Sequence, residues 1–273
     1  MNQASRKSLS FLLCALIVPC LLTPSLTSIY PITQGVFSWD MVSGFMLINA
    51  GLIIGTLTIS SLCENFNWRV FLATYLITLL LFTGNVLLIV FAWPHYDAES
   101  LASLAIQSFV KAGLVEEFFK LVSWLPWILV ESKTNSYFVL WIAGLSGLLF
   151  GVCENCHMLA VLSFTPGIAN GDILVTAFGD SIFLAVAYVR FLWGPLLHVS
   201  LTLIGYCMYA NMRDRKSAWI LYLLVVVVPA ALHGIYDLVT YVGNHMEVLW
   251  CTHVGPVIAF TINLISLVML IRI

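Results

Sequence analysis

Apolar residues gather into eight long runs along the chain, at about 9–26, 41–62, 70–93, 104–130, 137–162, 189–210, 218–242 and 249–271. A helix rising ~1.5 Å per residue needs roughly twenty such residues to cross a ~30 Å hydrocarbon layer. The pattern therefore predicts an all-α, polytopic transmembrane helix bundle of about eight spans.

The stretch 173–209 is too long for one crossing and is interrupted by Asp180, Arg190 and Gly194-Pro195. Two crossings there would carry Arg213, Arg215 and Lys216 to the side opposite Arg6 and Lys7, against the cytoplasmic bias of Lys and Arg. The expectation is one span from about 189, preceded by an interfacial or re-entrant segment at 173–187. Arg6, Lys7, Arg69, Lys133, Arg213, Arg215, Lys216 and Arg272 then share the cytoplasmic side with both termini, and Asp97, Glu99, Asp172 and Glu247 lie in outer loops. The first run, behind Arg6 and Lys7, also looks like a signal peptide. It is longer than a usual signal core and lacks a small-x-small cleavage site, so an uncleaved first span is expected.

Composition agrees with the pattern. The chain of 273 residues is 61% hydrophobic and 9% charged, with a mean hydropathy of +1.02, whereas soluble domains carry charge on about a quarter of their positions. No polar stretch is long enough for a separate soluble domain, so 1–273 is read as one integral membrane domain. Within it, 1–100 holds three N-terminal spans, 104–242 a core of chemical motifs, and 249–271 a last span. A net charge of −2 without a basic tract gives no sign of a nucleic-acid partner. The seven cysteines fall mostly inside apolar runs and read as small buried hydrophobes rather than a disulfide framework.

Against this background the run 104–130 is anomalous, because Glu116, Glu117 and Lys120 place three ionisable groups in it. Each costs roughly 2.5–3.5 kcal/mol near a bilayer centre even on lenient insertion scales, and such residues mark functional sites by default. Glu116 and Lys120 are spaced i,i+4 with the acid first, so they can pair. Glu117 points about 100° away and needs another partner.

Counting at ~1.5 Å per residue from the cytoplasmic end of each span, Glu116 is 15 residues in, Glu154 17, His198 15 and His233 16. All four fall about 22–26 Å from the inner boundary, in one layer of the outer half of the membrane. His233 also has Asp237 one turn on. Carboxyls and imidazoles gathered in an apolar layer suit metal binding or general-base chemistry.

These residues occur as ordered motifs: Glu116-Glu117-x-x-Lys120, Phe150-x-x-x-Glu154-Asn155, Arg190 followed by Gly194-Pro195-x-x-His198, and His233-x-x-Tyr236-Asp237. The set resembles that of the PrsW family of intramembrane proteases, which is similar to the CAAX-type prenyl-endopeptidase superfamily. The resemblance covers about 111–242, and the first three spans carry none of it. It implies a multi-pass peptidase of the bacterial plasma (inner) membrane that cuts membrane-anchored substrates, anti-sigma factors in the best-known case.

Glu116 or Glu117 would then be the base that activates water and later the acid. His198 and His233 would bind a metal, Zn²⁺ being the suitable ion, or hold the oxyanion, with Glu154 as third ligand or water orienter. Lys120, Asn155, Arg190 and Asp237 would support them. A glutamate-only mechanism without a cofactor stays open.

Two other readings compete. A non-catalytic scaffold or an ion-coupled transporter can use similar Glu, His and Lys relays. Cys153-Glu154-Asn155-Cys156-His157 matches the Cys-x-x-Cys-His pattern of c-type haem attachment, but it lies in an apolar run and leaves the charged layer unexplained.

Overall fold

The computed structural model describes residues 68–92, 100–131, 136–164, 180–213, 217–245 and 249–272. Among them are the helices α1 (Trp68–Ala92), α2 (Leu101–Ile106), α3 (Glu116–Glu131), α4 (Ser136–Phe164), α5 (Asp180–Met212), α6 (Ala218–His245) and α7 (Leu249–Ile271). A π-helical segment, Gln107–Val115, joins α2 to α3. The described residues are all-helical, without strands. Six of the eight expected runs reappear as these helices. The runs at 9–26 and 41–62, and 173–179 of the expected interfacial segment, lie outside the described residues.

Among the described residues two helical stretches, Ala218–Val242 and Val254–Ile271, are long and apolar enough to cross a membrane, and Leu72–Leu88 and Phe138–Glu154 are shorter apolar helices. Pro126, Pro195, Pro229 and Pro256 all lie inside helices. Proline is tolerated in membrane helices because neighbouring groups and local adjustment satisfy the freed carbonyls.

Two boundaries differ from expectation. Helix α5 begins at Asp180 rather than at about 189, so 180–188 is continuous with the helix that carries His198. The run 104–130 is not one uniform α-helix. It starts at the capping residue Ser100, whose hydroxyl accepts a 3.1 Å hydrogen bond from the Ser103 amide, and then widens through nine residues of π-helix.

Packing against α6 accompanies the widening. A Cβ on Gly113 would lie 2.5 Å from the carbonyl oxygen of Ala230, so only glycine lets the two backbones approach this closely. The Ser108 hydroxyl donates a 2.8 Å hydrogen bond to the Leu104 carbonyl inside the same segment. A π-turn spans one residue more than an α-turn, so the residues after it are rotated relative to an uninterrupted α-helix. The first of them is Glu116.

The chain forms two compact units, one of Met1–Trp68 and Gly151–Pro195, the other of Arg69–Phe150 and Leu196–Ile273. The described part of the first is helical, 151–164 and 180–195. The second holds a core in which Ala259 and Ile262 of α7 pack with Leu197, Leu201 and Ile204 of α5, joined by Leu232 and Tyr236 of α6. Trp124 of α3 stands edge-on to Tyr206 and Tyr209 of α5, with ring centroids 6.0 and 6.3 Å apart. The opposite faces of α1 and α7 expose large apolar residues such as Leu80 and Phe260, as suits helices solvated by lipid.

Candidate functional site

Six ionisable residues of the second unit are turned inward. Glu116, Glu117 and Lys120 on α3, His198 on α5, and His233 and Asp237 on α6 are all buried, Lys120 to 1% exposure and Glu116 to 8%. One ligand atom from each of Glu116, His198 and His233 lies within 4.8 Å of the others. The rings of His198 and His233 meet edge to face, with centroids 5.1 Å apart and planes at 89°. Three helices far apart in sequence thus deliver one carboxylate and two imidazoles to a single point.

Glu117, whose partner the sequence left open, has two. Its Oε1 accepts a hydrogen bond from the Lys120 ammonium, at i,i+3, and lies 3.0 Å from Nδ1 of His233. Lys120 is thus paired with the acid at i,i+3, whose carboxylate bridges a cation and an imidazole. Lys120 also reaches across to α5, where its Nζ stands 2.7 Å from Nδ1 of His198. Asp237 Oδ2 is 3.6 Å from Nε2 of His233, one turn on as expected. The carboxylates, ammonium and imidazoles lie close enough to neutralise one another, which is what makes burying them tolerable.

Aromatic and small residues position these groups. Phe150, the last residue of α4 in this unit, lies under both His198, centroids 5.6 Å apart, and the Lys120 ammonium, 5.2 Å from its ring centre. The Ser123 hydroxyl donates to the Lys120 carbonyl at 2.6 Å and contacts the Ser146 hydroxyl of α4. Thr202 donates to the His198 carbonyl at 2.8 Å. A Cβ on Gly147 would fall 2.6 Å from that same carbonyl oxygen, so α4 and α5 touch backbone to backbone at the histidine.

Phe150 already stands in the sequence motif, but its role under the lysine and histidine is visible only in the structure. Ser123, Ser146 and Gly147 carry no sequence signal beyond their small size in an apolar run.

The other expected site residues are placed as follows. Glu154 is half-buried on α4, in the first unit. Asn155 and Arg190 lie on α4 and α5 at positions whose side chains are outside the described residues. The Cys-x-x-Cys-His sequence falls within helix α4, and Cys153 is a free thiol.

The family model for PrsW family intramembrane metalloproteases matches residues 60–270. The chain belongs to the PrsW family. Membership makes it a membrane protein of intramembrane proteolysis. The match takes in α1 and α7 as well as the motif-bearing helices, a wider span than the motifs alone cover. Neither the curated proteins nor the solved structures include a match.

Proposed function

We propose that this PrsW-family protein is a multi-pass endopeptidase that hydrolyses a peptide bond near the extracytoplasmic end of a membrane-anchored substrate, with Glu116, His198 and His233 at the reacting centre. The observation that carries the reading is the convergence of those three side chains within 4.8 Å in a buried interior. An anti-sigma factor or another single-span regulatory protein is the substrate class that the family resemblance favours. The eight-span topology, with both termini cytoplasmic, puts the centre in the outer half of the bilayer.

The donor set suits a metal. One carboxylate and two imidazoles are a common catalytic zinc set and leave a position for water, so Glu116, His198 and His233 would hold the ion. The chemistry supplied by a Zn²⁺ held there would be a lowered pKa of its water and polarisation of the scissile carbonyl. Around that centre, Glu117 holds the His233 ring through Nδ1, and Asp237 lies on the Nε2 side. Lys120 is neutralised by Glu117 and borders His198. A carboxylate takes the proton of the attacking water and returns it to the leaving amine.

One contact favours a second reading, glutamate-based hydrolysis without metal. An ammonium 2.7 Å from Nδ1 of His198 donates to that nitrogen, so the ring proton sits on Nε2. In that state His198 is a hydrogen-bond donor suited to an oxyanion, and Glu116 is the base. Elemental analysis of active, purified protein separates the two readings, and cleavage of single-span peptides by wild type but not by Glu116→Gln tests their common core. Protein that moves protons or a solute across vesicles yet cleaves nothing would instead support a transporter.

A further inference from the structure

Helix α1 lies outside the motif region, yet it carries the one primary amide buried along its inner face. That face is Thr74, Thr78, Phe82 and Asn85, all buried, while Leu72, Leu76, Leu79, Leu80, Leu87 and Leu88 are exposed. The hydroxyls of Thr74 and Thr83 bond back to carbonyls one turn earlier, at 2.8 and 2.9 Å. Asn85 is 2% exposed, and its Oδ1 is buried with no hydrogen-bond donor. An acceptor left unmade in an apolar interior destabilises the protein that carries it, and a native structure keeps few such groups without a reason.

The neighbours of this amide on α1 pack against residues that border the reacting centre. Phe82, on the same face and three residues earlier, meets Phe150 edge-on with centroids 5.1 Å apart. Phe150 is the ring that lies under His198 and Lys120. Gly84, the residue before Asn85, comes within van der Waals reach of the Phe119 ring, 3.8 Å from a Cβ built on it, and Phe119 precedes Lys120. Counting agrees, because Asn85 is 16 residues from Arg69, the same depth as the other polar members of the layer.

We propose that Asn85 is a substrate-binding residue of this centre, its side-chain carbonyl accepting a hydrogen bond from a backbone N–H of the substrate where the substrate helix is unwound for cleavage. The inference rests on the peptidase reading and extends it to a helix that carries no family motif. A helix unwound within lipid exposes N–H groups that no water can satisfy, so the enzyme must supply acceptors. A neutral amide does this without adding charge to a centre that already holds several carboxylates.

The test uses the full chain in phosphatidylethanolamine and phosphatidylglycerol vesicles, with synthetic single-span peptides carrying a Gly-Ser pair near one end. Binding is read by fluorescence anisotropy and turnover by mass spectrometry. Asn85→Leu is expected to weaken binding and raise KM about two- to tenfold, the range for one hydrogen bond, while thermal stability stays equal or rises. An amide-to-ester change at one backbone position of the peptide should weaken binding to wild type by a similar factor and have no further effect on Asn85→Leu. Thr78→Val, which removes another buried polar atom from the same face, should leave KM unchanged.

Wild-type affinity in Asn85→Leu would overturn the proposal, as would ester effects that are the same in both proteins. A fall in stability that accounts for the lost binding would assign Asn85 a structural role instead. If wild type binds the peptides and cleaves none, the peptidase reading fails, and the binding comparison still decides the role of Asn85.

Discussion

The Lys120 ammonium joins two helices of the site, because it donates to Glu117 on its own helix and stands 2.7 Å from Nδ1 of His198 on another. At 1% exposure it has no water to fall back on. Removing one member of a buried ion pair strands the other and costs about 3–5 kcal/mol, whereas neutralising both partners costs far less. Lys120→Met is therefore expected to be strongly destabilising, and the double variant Lys120→Met with Glu117→Gln to recover much of the loss. Thermal unfolding of the three proteins in detergent measures the coupling. Additive effects of the two changes would show that the pair contributes nothing as a pair.

The two adjacent glutamates are expected to fail differently when changed to glutamine. Glu116 converges with both imidazoles, so Glu116→Gln removes charge from the reacting centre itself. Loss of a general base lowers turnover by about 10²–10⁴-fold, and the protein should remain folded. Glu117→Gln should lower stability as well as rate, because it removes the charge that neutralises Lys120 and weakens the hold on His233. Turnover and melting temperature measured together distinguish the two. Full activity in both variants would rule out glutamate-based hydrolysis.

The difference between these neighbours was only half legible in the sequence. Apolar runs located helices well because lipid enforces continuous apolar spans, and six of the eight runs are helical among the described residues, although α5 begins nine residues before its run. The cost of burying charge likewise singled out Glu116, Glu117, His198 and His233 before any contact was known. Which glutamate bonds Lys120 was not legible, since i,i+3 and i,i+4 partners lie on one face of a helix and the choice of Glu117 goes with its second contact, to His233 on α6. Asn85 escaped notice for a related reason. One amide in an apolar run has no periodicity, and its significance comes from its burial without a donor on the face of α1 whose Phe82 meets Phe150.

Metal content gives the third prediction. If Glu116, His198 and His233 hold Zn²⁺, active protein purified without added chelator should contain close to one equivalent. His198→Ala should lose it along with activity. Cys153→Ser should keep both, since the Glu116, His198 and His233 donor set uses no thiol. Activity that survives strong chelators in metal-free protein would leave the mechanism in which the Lys120 contact holds His198 as a hydrogen-bond donor.

Contact between α4 and α5 at Gly147 leads to the fourth. A methyl there would collide with the His198 carbonyl at 2.6 Å and with the Thr202 hydroxyl at 2.7 Å, so the helices must separate and His198 must shift. Overpacking of this kind costs about 1–3 kcal/mol. The expected result for Gly147→Ala is a lower melting temperature together with a loss of turnover larger than the stability change explains. Gly144→Ala, one turn earlier, is the control, because its methyl would meet only the Leu203 side chain at 3.5 Å, an ordinary contact. Equal effects of the two changes would remove the special role of the His198 contact.

The position of the cut provides the last prediction. Glu116, His198 and His233 each lie 15 or 16 residues from the expected cytoplasmic end of their helices, about 22–24 Å at the helical rise, and one ligand atom of each lies within 4.8 Å of the others. A scissile bond inside a transmembrane helix is protected by its backbone hydrogen bonds and is most easily freed near a helix end, where those bonds fray. Cleavage is therefore expected near the extracytoplasmic end of the substrate's span, and mass spectrometry of both fragments locates it. Reporters fused after Arg6 and after Lys216 should both read cytoplasmic, and one inserted in 165–171 should read extracytoplasmic. A cut at the cytoplasmic boundary with those reporters as expected would refute the depth while leaving the three-residue centre intact. A reversed reporter after Lys216 would remove the topology on which the depth is counted.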